Sequence, residues 1–332
     1  MATAKRSSAS ESLKADALHK RSIVIDGLAG TTFAFDELLA AGITAAHITV
    51  AAHNEGFMKT LEFIKDYYAS LDTYPEKLLL VRTVDDIAKA KTEKKLGLIL
   101  GFQTASPIEE DLTNLAIFHA LGIRIVQLTY MGRNLAGDGC YEPRDEGLTY
   151  YGMQIVRELN RLGMIVDLSH VGWKTASDAA SISKAPVILS HSNPYSLCQN
   201  KRNVPDDLIK KVAEGGGCIG VNGHPAFCQL RPGIRPTLRD YLDILDYLVR
   251  LVGVDHVSLG PDLFEGFTAW QANRWNRRYD EIKNPWGTVE GVGRASDIPG
   301  ITRGLAARGY SDCDIEKMIG LNLLRVFRSV WK

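Results

Sequence analysis

Short apolar, β-branched runs recur along the chain, and a stretch of helical composition follows each of them. The runs are residues 23–26 (IVID), 43–52 (ITAAHITVAA), 96–102 (LGLILGF), 123–128 (IRIVQL), 164–168 (MIVDL), 187–189 (VIL), 217–222 (GCIGVN) and 256–259 (HVSL). Helical patterns fall at 35–41, 60–68, 84–95, 112–121, 152–162, 175–183, 206–213 and 237–251, and two more, 298–309 and 312–331, finish the chain. Gly42, Gly122 and Gly163 close three of these helices. Residues 96–102 are apolar without interruption, as a strand covered on both faces should be. Eight strands, each followed by a helix and with no break in composition, predict a (β/α)8 TIM barrel. It would occupy residues 21–332 as a single domain behind a flexible lead-in, 1–20, in which a helix could begin near residue 11. An open doubly wound sheet is the alternative. No G-x-G-x-x-G follows the first strand, and no solenoid repeat occurs.

The stretch 164–207 organises the rest. Its two apolar runs each end in a serine and a histidine, Ser169-His170 and Ser190-His191, with a helix of about three turns between them. Parallel strands joined by a helix end side by side, so the two imidazoles arrive together on one rim of the sheet. That placement favours metal binding or catalysis over two histidines merely packed at strand ends.

Charge and composition narrow the partners. Lys+Arg and Asp+Glu are both 39, so no basic surplus points to nucleic acid or an anionic membrane. Five scattered cysteines without a C-x-x-C pair fit reduced thiols in a cytoplasmic protein and argue against a thiolate metal site. The polar N-terminus lacks the apolar core of a signal peptide, no run has transmembrane length, and the end of the chain carries no anchor-like tail.

Chemistry in such a barrel sits at the C-terminal ends of the strands. Read in order, the strands deliver Asp26 to Gly30, His53 to Glu55, Gln103-Thr104, Thr129-Tyr130, His170, His191, Asn222 to His224, and Pro261-Asp262. Two histidines and an aspartate make a recurrent layout for metal-assisted hydrolysis. Neutral imidazoles hold a divalent ion, and a carboxylate takes the proton of a water acidified by it. Asp262 is the candidate base. Gln103 can coordinate weakly through its carbonyl oxygen, but it cannot bridge two cations as a carboxylate does. These residues predict one divalent metal or none. The long polar excursion at 129–152 has the length of a functional loop.

The chain resembles the membrane (renal) dipeptidase family of zinc peptidases from its first strand to its end. The segments that carry the likeness are GDGCYEP with GLTYYG (137–143, 147–152), ELNRLGMIVDLSHVG (158–172), APVILSHSNPYSLCQNKRNVPDD (185–207) and NLLRVF (322–327). The resemblance implies a (β/α)8 barrel of metal-dependent-hydrolase type and a homodimer. It also implies that His170 and His191 bind the second zinc, that Arg202 binds the substrate carboxylate, and that Asp262, in a local sequence GPDLFEG unlike the family's, is a general base or metal-site residue. Four departures fall at one centre. The family's D-G-H-x-D reads Asp26-Gly27-Leu28-Ala29-Gly30 here, its bridging glutamate is Gln103, and its strand-four histidine is Tyr130.

Other rim residues are candidates for substrate contact. Asn222, His224 and His53 would face the mouth, with His53 divided evenly between loop and site. Tyr130 would either donate to an oxyanion or plug the barrel floor. His47 reads as a packed strand residue. Arg133 and Asp138 read as substrate contacts or internal ion pairs, and Arg144 as a solvated loop residue. Trp270 and Trp275, in the loop 264–278, belong to a lid or a subunit contact. The expected function is a dipeptidase-like amidohydrolase acting on a small carboxylate-bearing amide or dipeptide. The alternatives are a metal-free lyase or isomerase on the same scaffold, and a non-catalytic small-molecule binder.

Overall fold

The computed structural model describes residues 2–29, 33–53, 55–263 and 278–332, with the side chains of 2–9 left aside. Its strands are β1 (Ile25–Ala29), β2 (Ala45–Ala51), β3 (Leu78–Leu80), β4 (Leu96–Phe102), β5 (Ile123–Gln127), β6 (Ile165–Asp167), β7 (Ile188–Leu189), β8 (Cys218–Val221) and β9 (Val257–Leu259). The sheet runs β1-β2-β4-β5-β6-β7-β8-β9, parallel throughout. At the seam, the backbone N–H of Asp262 donates to Leu28 O at 3.2 Å. This is the near-closed eight-stranded barrel that the apolar pattern predicts.

The strand β3 is an addition, pairing Leu78 to Leu80 with Leu96 to Leu98. Three leucines among charged residues show no strand period, and only the partner on β4 makes them a strand.

The barrel fills in layers because side chains alternate along each strand. Ile25, Ala45, Ile99, Ile125, Ile165, Ile188 and Cys218 form an apolar floor, sealed from below by Leu323, Val326 and Phe327 of the C-terminal helix Asn322–Val330. Two residues further along the strands come Gly27, His47, Gly101, Gln127, Asp167, Ser190 and Gly220, a layer of small and polar residues. His47 is buried there, with Nδ1 2.9 Å from Gly27 O, the packed strand residue that its position predicts. Two residues beyond lies the rim.

The middle layer is tight. A Cβ added at Gly260 would lie 1.9 Å from the carbonyl oxygen of Ser190, and one at Gly220 would lie 2.0 Å from the same atom. A backbone carbonyl cannot swing aside as a flexible side chain does. Gly260→Ala should therefore destabilise the fold by about 3 kcal/mol or more, read as a lowered urea midpoint at unchanged slope. An unshifted midpoint would show that the barrel can relax there.

The lead-in differs from expectation. Ala2–Arg21 is one helix, α1, and from Ala15 onward one face of it is packed. Ala15, Leu18 and His19 are buried, and the His19 ring lies 2.7 Å from Thr302 Oγ1 and 2.9 Å from Ala41 O. Two apolar positions in a polar segment are too few to reveal such docking. Residues 312–331, expected as one helix, are helical over Asp312–Glu316 and Asn322–Val330, with a wider turn at Lys317–Leu321 between. No described helix is long and apolar enough to cross a membrane. Gly30, Asn54, Trp270 and Trp275 lie outside the described residues.

Candidate active site

The histidines leave the strand period at sharp turns. His170 has φ +64°, Asp262 +53° and His53 +52°, a left-handed backbone uncommon for residues other than glycine. Such conformations persist where the surroundings over-determine them, often at functional sites. At His170 the cause is visible. The long loop crosses over it, with Cys140 N donating to His170 O at 2.8 Å and Gly172 N to Asp138 O at 2.8 Å. Asp145 pins the loop to the next helix by accepting from Lys174 N and from Thr175 Oγ1, both at 2.6 Å.

His170 and His191 meet, Nε2 to Nε2, at 2.9 Å. Both are buried. Behind His191, its Nδ1 lies 2.6 Å from Ser190 Oγ, which in turn lies 2.5 Å from Asp167 Oδ2. His170 Nδ1 is buried and has no hydrogen-bond partner among the described residues. Tyr130 lies between two rings, stacked on His170 at 4.4 Å and edge-on to His53 at 4.6 Å. It therefore sits at the mouth and does not plug the floor.

Gln103 faces His191 the wrong way round for a ligand. Its Oε1 accepts from Thr49 Oγ1 at 3.1 Å, and its amide nitrogen lies 3.2 Å from His191 Nε2. The weak coordination expected of it has no support in this geometry.

The guanidinium of Arg202 is the dominant charge, and only 1% of the residue is exposed. Nη1 donates to Ser192 Oγ at 2.9 Å and Nη2 to His191 O at 2.6 Å, while Nε has no partner among the described residues. Among the described residues it makes no ion pair, and its flat face lies 5.5 Å from the Phe227 ring centre. Burial, reinforced by this cation, holds His170 and His191 well below the usual imidazole range and takes His224 down to about 4. Burial also lowers His53, helped by Arg278.

Burial raises Asp262 to about 6, against the opposing pull of Arg202 and of Asn222, whose Nδ2 donates to Asp262 Oδ2 at 3.2 Å. Burial raises Asp26 to about 7, opposed by the Leu28 N–H and aided by Asp262. Its Oδ2 has no hydrogen-bond partner among the described residues. Asn222 also fixes the next turn, its Oδ1 accepting from His224 N at 2.6 Å. Arg133 and Asp138 form an internal ion pair, and Arg144 is exposed.

Sequence reasoning thus brought His170, His191, Tyr130, Arg202, Asn222, His224, His53 and Asp262 to one mouth. It missed Asp167 and Ser190, although the serine before each histidine was the signal for them.

Residues 13–273 match the family model of membrane dipeptidase, peptidase family M19. The chain belongs to this family. Among curated relatives, dipeptidase tcpJ of Claviceps purpurea is 30% identical over 282 residues, covering 84% of this chain. Dipeptidase aclJ of Aspergillus oryzae is 31% identical over 280 residues, covering 81%. The chain spans only 62% of the length of either relative. Among solved structures, an amidohydrolase from Pseudomonas aeruginosa is 36% identical with a TM-score of 0.88, over 96% of this chain and 99% of that one. The probable dipeptidase PvdM from the same organism, 23% identical with a TM-score of 0.82 over 97% and 99%, shares the fold.

The zinc pair implied by resemblance to M19 dipeptidases does not fit the residues present. No group of three or more His, Cys, Asp or Glu able to hold a metal occurs among the described residues. Two converging Nε2 atoms on rings kept neutral near pH 7 are nitrogen donors of the kind that zinc accepts.

Proposed function

We propose that this M19 family member is a dipeptidase-like amidohydrolase acting on a small amide or dipeptide with a free carboxylate. The observation that carries the reading is Arg202, a buried guanidinium beside the two imidazoles with an unused Nε donor and no ion pair among the described residues. A buried charge without a partner is costly, and a substrate carboxylate would neutralise it.

His170 and His191 would hold one divalent cation, zinc first among candidates, through their Nε2 atoms. When bound, it supplies Lewis acidity toward an amide carbonyl and a water. The chain's own residues do the rest. Arg202 grips the carboxylate and so sets the scissile bond in register with the mouth. The Asp262 carboxylate takes a proton from the attacking water, and a base titrating at about 6 is ionised but still basic at neutral pH. The Tyr130 hydroxyl donates to the developing oxyanion. Burial and the nearby Asp262 raise its pKa, so it keeps its proton to donate. His53, Asn222 and His224 line the path of the substrate, and the roof of the long loop keeps water out.

The test is metal content joined to turnover. Protein purified without chelator should hold about one equivalent of divalent metal and hydrolyse members of a dipeptide panel. Dialysis against a chelator should stop hydrolysis, and added zinc should restore it. Chelator-insensitive turnover would favour the metal-free reading, in which the 2.9 Å His170–His191 contact passes a proton. No turnover of any amide under any cation would overturn the hydrolase reading.

A further inference from the structure

The Asp167–Ser190–His191 chain has a direction. Asp167 Oδ1 accepts two backbone N–H groups, from Ser169 at 2.9 Å and Ser190 at 3.1 Å. Its Oδ2 accepts, among the described residues, from the Ser190 hydroxyl alone, at 2.5 Å. Every contact to this carboxyl comes from a donor, so it acts as an acceptor alone and the single Ser190 O–H proton points to it. Ser190 Oγ then has only lone pairs for His191 Nδ1, 2.6 Å away. That nitrogen must therefore be the donor, and Nε2 must carry the lone pair. The rest agrees. Nε2 of His191 faces the Gln103 amide nitrogen at 3.2 Å and His170 Nε2 at 2.9 Å, both able to donate to it. If His170 carries its proton on Nε2, its Nδ1 is a bare lone pair, which matches the unpartnered buried atom found there.

We propose that Ser190, backed by Asp167, is a positioning residue that fixes His191 as its Nδ1–H tautomer and presents Nε2 to the site as a lone pair. Ring orientation follows from the same bond, because Ser190 is anchored both to Asp167 and through its own backbone N–H. His170 has no such backing, so the pair is asymmetric: His191 is pre-set to accept a proton or a cation, and His170 must move its proton to do so. This inference deepens the hydrolase reading and rests on it for its catalytic consequence.

The tautomer can be read without any turnover. The full chain, labelled with 15N-histidine and stripped of metal, should give for His191 a neutral ring protonated at Nδ1 in long-range 1H–15N spectra. A His191→Gln spectrum identifies its signals among those of the eight histidines. In Ser190→Ala the Nε2–H form should appear, with kcat and zinc affinity each lower by about 10- to 100-fold. Ser190→Thr, which restores a hydroxyl, should recover both the tautomer and the rate. An Nε2–H tautomer in the unaltered protein, or a Ser190→Ala spectrum identical to it, would overturn the proposal. If Ser190→Ala does not fold, the unaltered protein and Ser190→Thr still decide. A correct tautomer with no amide turned over would sink the hydrolase reading alone, and turnover with the opposite tautomer would sink this inference alone.

Discussion

Replacing His191 by alanine will lower kcat/KM by about a thousandfold or more, equivalent to about 4 kcal/mol of transition-state stabilisation, and will abolish zinc retention. The size follows from convergence. Gln103, His170 and Ser190 all direct a polar atom at this one ring. Truncation removes the lone pair facing the site and leaves those groups without their partner. Leaving buried polar atoms unpaired costs about 1–3 kcal/mol, so the variant should melt lower but still fold. Calorimetric zinc titration beside turnover on the best dipeptide is the measurement. A His191→Ala protein that binds zinc as the unaltered chain does, or keeps its rate, would remove this imidazole from the chemistry.

Much of this site was legible because a parallel barrel converts chain order into geometry. Once 164–168 and 187–189 are strands, His170 and His191 must share a rim, and the last strand must bring Asp262 to it. Arg202 came instead from likeness to a family segment, since no periodicity marks a buried arginine in a loop. What escaped reading depends on contacts across strands. Asp167 looks like one polar residue inside an apolar run, and only the register of β6 with β7, Asp167 beside Ile188, sets it against Ser190 two residues further on. The orientation of Gln103 was equally hidden, because Thr49 on β2 decides which end of the amide faces His191. Docking of α1 depends on His19 meeting Thr302, a partner 283 residues away.

Arg202→Met should raise KM for a free-carboxylate substrate by about a hundredfold, within the 2–5 kcal/mol seen when one partner of a buried charge pair is removed. Methionine keeps much of the apolar stem and deletes the guanidinium, whose carbon lies 5.5 Å from the Phe227 ring centre. Its effect on pH dependence has a definite sign. The guanidinium favours the ionised form of Asp262 and so pulls that carboxyl below where burial alone would put it. Without it the carboxyl rises above about 6, and the acid limb of the kcat/KM profile must move to higher pH. The same loss lets His170 and His191 take up protons more readily, which weakens zinc binding at a given pH. Arg202 also braces His191 O and Ser192, so a lowered rate alone would not separate recognition from scaffolding. A cycle with the substrate does separate them. Blocking the carboxylate as an amide should cost the unaltered protein about as much as the mutation does. The blocked substrate should then lose little more in Arg202→Met, because each change deletes the same pair. A variant that still distinguishes free from blocked substrate as strongly as the unaltered chain would place the carboxylate elsewhere, and with it the substrate's orientation in the barrel mouth.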